Sequence, residues 1–186
     1  MQPVNRIALK EWAAVCEALA QGRQSILLRK GGLEEGSAGF QLQHEEFWLF
    51  PTRFHQDPAQ LKPDAEPLLA AATVPPDGIV ALRLYAVAED VHQLTDPGQL
   101  AQLEPLHVLA PETVRERFHY RADGLNVITV RVFKQTTSFE ISEAPHFAGC
   151  KSWVDLRNKL PTSGLQPVLS DPDYEVQCDA IRAALQ

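Results

Sequence analysis

The stretch IVALRLYAVA, residues 79–88, is the most strand-like part of the chain. Apolar residues line both of its faces around the single charge of Arg83, which predicts a strand buried on both sides. Residues 47–50 are apolar at every position and are followed by Pro51, which indicates a second central strand. We expect residues 79–88 and 126–134 to be neighbouring strands of one curved sheet.

Outward from these strands, the sequence predicts helices near both ends of the chain. Apolar residues at helical spacing favour a first helix over about residues 8–21, with Trp12 and Leu19 largely buried. Asp171 is expected to cap a last helix, with Pro172 in its first turn. Further helices are expected over residues 66–72 and 111–120, a single capped turn over 152–155, and short strands over 25–28 and 139–141. This order lacks regular β-α-β alternation, so we predict an α+β fold: a mixed curved sheet or small β-barrel with flanking helices.

Length and composition predict one domain over residues 1–186. Hydrophobic residues make up 45% of the chain, enough for a packed core. Five prolines between residues 57 and 78 break any long element, so we place an irregular, proline-rich insertion there. We expect no membrane-spanning segment and no signal peptide, and three scattered cysteines predict reduced thiols in a cytoplasmic protein.

The charge and the absence of known motifs exclude several functional classes. The net charge of −7 argues against a bulk polybasic nucleic-acid or membrane-surface binder, although a local basic patch needs only a few Arg and Lys. The chain contains no standard dinucleotide or P-loop phosphate motif and no H-E-x-x-H zinc motif. We therefore predict no cofactor.

The stretch from Gly22 to Arg29 carries the strongest polar signal. A helix ends at the glycine and a strand begins, so alternation puts Ser25, Leu27 and Arg29 on one side of that strand. A hydroxyl and a guanidinium on one face suit a phosphate or a polar planar ligand. The alternative is a strand whose arginine is solvated at its end.

A second polar cluster follows the buried strand at residues 47–50. It consists of Thr52, Arg53, His55 and Gln56, whose side chains suit a phosphate or a base edge. The histidine spacing around this cluster matches no standard zinc pattern, so we predict no metal.

The third cluster surrounds Cys150. A helical turn starting at Ser152, together with Lys151, would favour the thiolate of Cys150, and His146 is a candidate base. The alternative is a loop that closes the barrel, with Trp153 as an apolar plug.

The order helix, Gly22, Ser25, strand, Arg29 resembles the opening of the ASCH group, a branch of the PUA-like β-barrels. That resemblance implies binding of RNA or of modified nucleobases. One ASCH branch is similar to hydrolases of acetylated cytidine that use a motif lysine for catalysis. This chain has Gln24 at that position, and a neutral amide is neither a general base nor a cation, so the hydrolase activity is not expected.

A second resemblance spans nearly the whole chain. The segments LKEWA (residues 9–13), LRKGG (28–32), LFPT (49–52) and GCKSW (149–153) resemble the family catalogued as domain of unknown function 1802. This resemblance implies one intact family domain and no particular activity.

We therefore predict a module with a PUA-like barrel that binds RNA or a nucleotide. The alternatives are a hydrolase of a modified nucleoside or a thiol enzyme, and a protein-interaction module; the oligomeric state is left open. We expect Arg29 and Arg53 to share one pocket and, as surface residues, to affect stability by less than about 1 kcal/mol. The predicted ligand-binding residues are Ser25, Arg29, Lys30, Thr52, Arg53, His55, Gln56 and Lys151.

Overall fold

The computed structural model describes residues 1–30, 41–52, 57–72, 76, 78–149 and 151–186. Within them the chain forms seven strands and five α-helices, joined in part by short 3-10 turns. The strands are β1 (Val4–Trp12), β2 (Ile26–Arg29), β3 (Glu46–Thr52), β4 (Ile79–Leu94), β5 (Leu125–Ser142), β6 (Trp153–Pro161) and β7 (Gln166–Pro167). The helices are α1 (Ala13–Ala20), α2 (Pro67–Ala71), α3 (Leu100–Leu103), α4 (Pro111–His119) and α5 (Asp171–Ala184).

The strands form one mixed sheet in the order β2-β5-β4-β3-β1-β6, and β7 pairs with β5. β1 and β3 run parallel, whereas the other pairs are antiparallel. Register shifts near Arg83 and Glu89 interrupt the long β4–β5 pairing, and such bulges bend a sheet. Over the described residues the pairing is an open path rather than a ring. The α+β mixed sheet is therefore confirmed, and the closed-barrel form of that prediction is not what the chain adopts.

The centre of the sheet is buried on both faces. Along β3, Phe47 and Leu49 enter one hydrophobic cluster with α1 and α4, while Trp48 and Phe50 enter a second cluster on the opposite face. This alternation is the two-residue period of a strand. The prediction that this strand is central is confirmed, as is the pairing of residues 79–88 with 126–134, for which Ala88 opposite Val130 is one example.

The first predicted helix is wrong in its first half. Residues 4–12 form β1, and α1 begins only at Ala13. Asn5 and Glu11 are buried polar residues of β1, and a register shift between Asn5 and Ile7 interrupts the strand, so the two-residue period is concealed. Leu19 is buried as expected, whereas Trp12 lies on β1 and is only half-buried.

Three smaller predictions also need correction. Residues 153–155 belong to β6 and not to a capped helical turn, and residues 139–141 are the end of β5 rather than a separate strand. The cap of α5 is Ser170, whose hydroxyl accepts a hydrogen bond from the Asp173 amide, and Asp171 is already helical. The predicted helices at 66–72 and 111–120 are confirmed. Among the described helices, none is both long and apolar enough to cross a membrane.

Candidate functional site

A cleft of about 430 Å³ opens where the ends of β1, β2 and β3 meet α4 and the start of β6. We call it the basic cleft, because five cationic side chains and two carboxylates, those of Glu11 and Glu116, line it among the described residues. The cationic residues are Lys10, Arg29, Lys30, Arg117 and Lys151. Its lining is therefore positive although the whole chain carries a net charge of −7.

Arg29 forms the floor of the basic cleft through a nearly buried ion pair. Its Nη1 lies 3.2 Å from Oε2 of Glu11, whose side chain is only 2% exposed, and its Nη2 donates to Ser152 Oγ at 2.6 Å. The other oxygen of Glu11 accepts the Trp12 amide at 2.8 Å. Because the Arg29 side chain is itself 16% exposed, it is not the ordinary surface residue that the sequence suggested.

Arg117 lies against the same ion pair. Its guanidinium carbon is 4.3 Å from the centre of the Trp12 ring, and its Nη1 donates to the Leu28 carbonyl at 3.2 Å. Burial lowers the pKa of Arg117; nearby Glu11 opposes this change and Arg29 adds to it. A guanidinium remains protonated despite such a shift, so Arg117 adds a second positive charge beside the Arg29–Glu11 ion pair.

Lys30 lines the cleft with its stem, but its ammonium group is occupied. Nζ donates to the carbonyls of Phe118 at 3.0 Å and Gly124 at 2.6 Å, and also to that of Ala122. Burial lowers the pKa of Lys30, while Asp123 opposes the change. Lys30 therefore holds the turn after α4 in place, and its predicted role as a direct ligand contact is not the one its hydrogen bonds indicate.

Three further predicted or neighbouring residues lie at the basic cleft. Thr52, at the end of β3, contacts the Glu11 carbonyl through its hydroxyl at 3.4 Å. Lys10 donates from Nζ to the Gly149 carbonyl at 3.0 Å, and the half-buried Lys151 contributes another ammonium group to the lining. The fold thus brings Arg29, Lys30, Thr52 and Lys151 to one place from three separate segments.

Ser25 does not lie in the basic cleft. It is 4% exposed, and its hydroxyl donates to Oε1 of Gln177 on α5 at 2.6 Å. Alternation along the strand predicts Ser25 and Arg29 on the same side of it. Because they are four positions apart, however, the strand separates them by about 13 Å. Ser25 therefore helps to attach α5 to the sheet.

Gln24 is also a structural residue. Its side-chain amide donates to the Ile26 carbonyl at 2.7 Å and accepts the Val108 amide at 3.2 Å. It is 4% exposed and away from the basic cleft. This position, where the acetylcytidine hydrolases carry their lysine, is occupied here by a packing residue.

Several predicted residues lie outside the described residues. They are Arg53, His55 and Gln56 of the second cluster and Cys150 of the third. The shared pocket of Arg29 and Arg53 therefore stays a prediction, although Thr52, the residue before Arg53, does line the cleft. In the part of the chain that the structure describes, no three His, Cys, Asp or Glu side chains are grouped closely enough to hold a metal ion.

Sequence reasoning missed the aromatic side of the basic cleft. Trp12 and the 45% exposed Tyr120 both line it, as does Arg117. Because residues 8–12 were predicted to be helical, Trp12 was expected in the core. A strand ending at Trp12 would have predicted it at the end of that strand, on the same side as Lys10. In α4, the spacing of Thr113, Arg117 and Tyr120 puts them on one face, which is the signal that could have revealed them.

Comparison with solved structures finds ASCH proteins from Zymomonas mobilis, the group that the Gly22–Arg29 stretch resembles. A serine-to-alanine variant has 12% identity and a TM-score of 0.46, covering 93% of this chain and 94% of its own. A tyrosine-to-phenylalanine variant has 12% identity and a TM-score of 0.45, covering 93% of this chain and 96% of its own. The ASCH protein itself has 12% identity and a TM-score of 0.42, covering 95% of this chain and 93% of its own. No curated protein sequence matches the chain.

The family comparison covers most of the chain. Residues 8–180 match the family described as "Domain of unknown function (DUF1802)". This span includes the described strands β2 to β7, four complete helices and every residue of the basic cleft. The chain belongs to the DUF1802 family.

Proposed function

We propose that the chain binds RNA or a nucleotide in the basic cleft. The observation that carries the proposal is the charge of the lining, five cations against two carboxylates, in a chain whose net charge is −7. A protein that only needed solubility would not concentrate its like charges in one concave site. A phosphate group removes the resulting repulsion, because charge-assisted hydrogen bonds to it offset the cost of the clustered cations.

The arrangement of the cations suits a phosphodiester. The Glu11 carboxylate forms its ion pair with Arg29, and Arg117 forms none with the described residues, so the positive charge of Arg117 at the floor is not neutralised by an ion pair. Lys10 and Lys151 carry further positive charge to the same cleft. Arginine recognises phosphate with a planar set of donors and lysine as a point charge, so the two kinds together hold a backbone without reading its sequence.

The aromatic residues favour unpaired bases over a duplex. Trp12 and Tyr120 line the cleft, and an arginine already lies over each ring, Arg117 at 4.3 Å and Arg121 at 5.2 Å. Bases stack on aromatic rings and on guanidinium planes only when they are free of a partner strand. The proposed ligand is therefore a single-stranded segment or a nucleotide.

No observation favours the other functions over this one. Gln24, at the position of the hydrolase lysine, is buried in packing, and Cys150 lies outside the described residues. A concave site that joins Arg29 with Thr52 suits a ligand better than a flat protein partner. We place the activity in the cytoplasm, in keeping with the free thiols of Cys16 and Cys178.

The test is binding of a fluorescein-labelled, mixed-sequence single-stranded RNA 12-mer, followed by fluorescence anisotropy at several salt concentrations. Lys151→Gln removes one charge from the cleft, and Lys159→Gln removes the same charge from an exposed position of β6 outside it. We expect Lys151→Gln to weaken binding about fivefold and to lower the salt slope by about 1, and Lys159→Gln to change neither.

Two outcomes contradict the proposal. One is no measurable binding by the unsubstituted protein even at low salt. The other is equal weakening by Lys151→Gln and Lys159→Gln, which would mean a diffuse charge effect rather than a site. A duplex of the same sequence serves as competitor, and the stacking argument requires it to bind more weakly than the single strand.

A further inference from the structure

A second cavity lies on the other side of α4. Thr113, Glu116 and Arg117 face the basic cleft, whereas Val114 and Arg115 line a separate space of about 240 Å³ between α3 and α4. We call it the α3–α4 cavity. Most of its wall is apolar and comes from Pro97, Leu100, Ala101, Pro111 and Val114.

His107 supplies a polar group to this apolar wall. The residue is 5% exposed, and its Nδ1 accepts the Leu109 amide at 3.2 Å. A neutral ring that accepts at Nδ1 carries its proton on Nε2, so Nε2–H is a donor. None of the described residues accepts a hydrogen bond from it, and the ring lines the α3–α4 cavity. A donor on a ring that is 5% exposed, with no protein acceptor among the described residues, is best satisfied by a group in the cavity that accepts from it.

The ring offers this hydrogen bond without a charge. The pKa of His107 is lowered to about 3, mainly by burial and also by the positive charges of Lys62 and Arg117, while the hydrogen bond from Leu109 opposes the change. The charged side chains at the rim have neighbours of opposite charge: Arg115 contacts Glu112, and His119 Nδ1 lies 2.8 Å from Asp123. Glu104, which also lines the cavity, lies close enough to Lys62 to oppose the lowering of its pKa. The cavity therefore does not select an ion.

We propose that the α3–α4 cavity is a binding site for a small, uncharged ring compound whose carbonyl oxygen accepts a hydrogen bond from His107 Nε2. The apolar wall holds the ring and the single donor fixes its orientation, which is how small-molecule sites are usually built. The space is sufficient, because apolar cavities of roughly 150 Å³ hold benzene. This site is independent of the proposed function, since α4 separates it from the basic cleft.

The test uses two probes of the same shape, acetophenone with its carbonyl and ethylbenzene without it. Each is titrated into ¹⁵N-labelled protein while NMR follows the backbone amides and the ring nitrogens of His107. We expect saturable shifts at residues 100–101, 107 and 114–115, and acetophenone to bind about three- to tenfold more tightly, the effect of one hydrogen bond. His107→Asn, which keeps an acceptor for the Leu109 amide but removes Nε2–H, should abolish this preference.

A second variant keeps the proposal falsifiable if His107→Asn does not fold. Ala101 is exposed at the cavity wall, so Ala101→Trp fills the space without touching the core, and acetophenone should no longer bind. The proposal is overturned if neither probe gives saturable shifts, if both bind equally, or if Ala101→Trp binds as before. Shifts confined to residues of the basic cleft would overturn it too, while leaving the RNA-binding proposal standing.

Discussion

The two ends of β2 carry similar polar residues in different surroundings. At the start, Gln24 and Ser25 are 4% exposed, and their side chains bond to Ile26, Val108 and Gln177 within the fold. At the end, Arg29 bonds to Glu11 and Ser152 but also forms the floor of a cleft with an excess of positive charge. A polar side chain whose partners are all internal stabilises the fold, whereas an excess of one charge in a cavity indicates a ligand.

This difference predicts that Arg29 affects both stability and binding, and its substitution has the largest expected effect. Arg29→Met leaves Glu11, 2% exposed, as a buried charge without its cation. We expect a loss of about 3–5 kcal/mol in the free energy of unfolding, measured by urea denaturation.

The matched control is the double variant Glu11→Gln/Arg29→Met. Because it also removes the stranded carboxylate, at least half of the lost stability should return. A free energy of unfolding of Arg29→Met within about 1 kcal/mol of that of the unsubstituted protein would contradict this prediction. It would mean that Arg29 behaves as an ordinary surface residue, as the sequence suggested, and that the ion pair does not stabilise the fold.

The next largest effect is expected for the pH dependence of stability, through His107. This residue lies near the start of β2, because the amide of the next residue, Val108, donates a hydrogen bond to Gln24. The folded pKa of His107 is about 3, against about 6.5 in an unfolded chain. Below pH 6.5 the unfolded chain takes up a proton that the fold does not, so stability falls as pH falls and is unaffected above that value. We expect a loss of about 2 kcal/mol by pH 5.

Urea denaturation of the unsubstituted protein and of His107→Asn between pH 7.5 and 5 measures this contribution. The asparagine does not titrate, so its stability should fall less steeply over that range. Parallel curves for the two proteins would show that His107 is readily protonated in the fold and is not held neutral.

The smallest effect is expected for Ser25→Ala. It removes one hydrogen bond to Gln177 and should cost about 1 kcal/mol of stability, with unchanged RNA affinity. This result would place Ser25 with the structural end of β2. A clear loss of RNA affinity at unchanged stability would instead return Ser25 to the binding site, where the sequence alone had put it.

The same comparison shows how much the sequence could predict. The sequence correctly located β2, β3 and the first parts of β4 and β5, because runs of apolar residues mark strands that are buried on both faces. β1 was misread because Asn5 and Glu11 are buried polar residues that conceal the period. Their partners, Tyr85 and Arg29, are distant in sequence, and no local pattern reveals such long-range pairs.

The site was predictable only in part for a related reason. Arg29, Lys30 and Thr52 were predicted together because they lie at or just after the ends of predicted strands, and strand ends meet at one edge of a sheet. Lys151 was added from the third polar cluster. The hydrogen bonds of Lys30 and Ser25 could not be predicted, because their partners are distant in sequence. Lys30 donates to three carbonyls in and after the last turn of α4, and Ser25 donates to the side-chain amide of Gln177. Arg117 lies on α4 and Tyr120 directly follows it, so the alternation of residues along strands could not predict that they line the cleft.

The central claim, that single-stranded RNA occupies the basic cleft, is tested most directly by mapping where it binds. An unlabelled single-stranded RNA 12-mer is titrated into ¹⁵N-labelled protein, and backbone amide shifts are followed by NMR at low salt. We predict that the largest shifts fall at residues 10–12, 28–30, 113–120 and 151–152 and shrink as salt is raised. Shifts centred on α5 or on residues 155–161 of β6, or no shifts at all, would contradict the account.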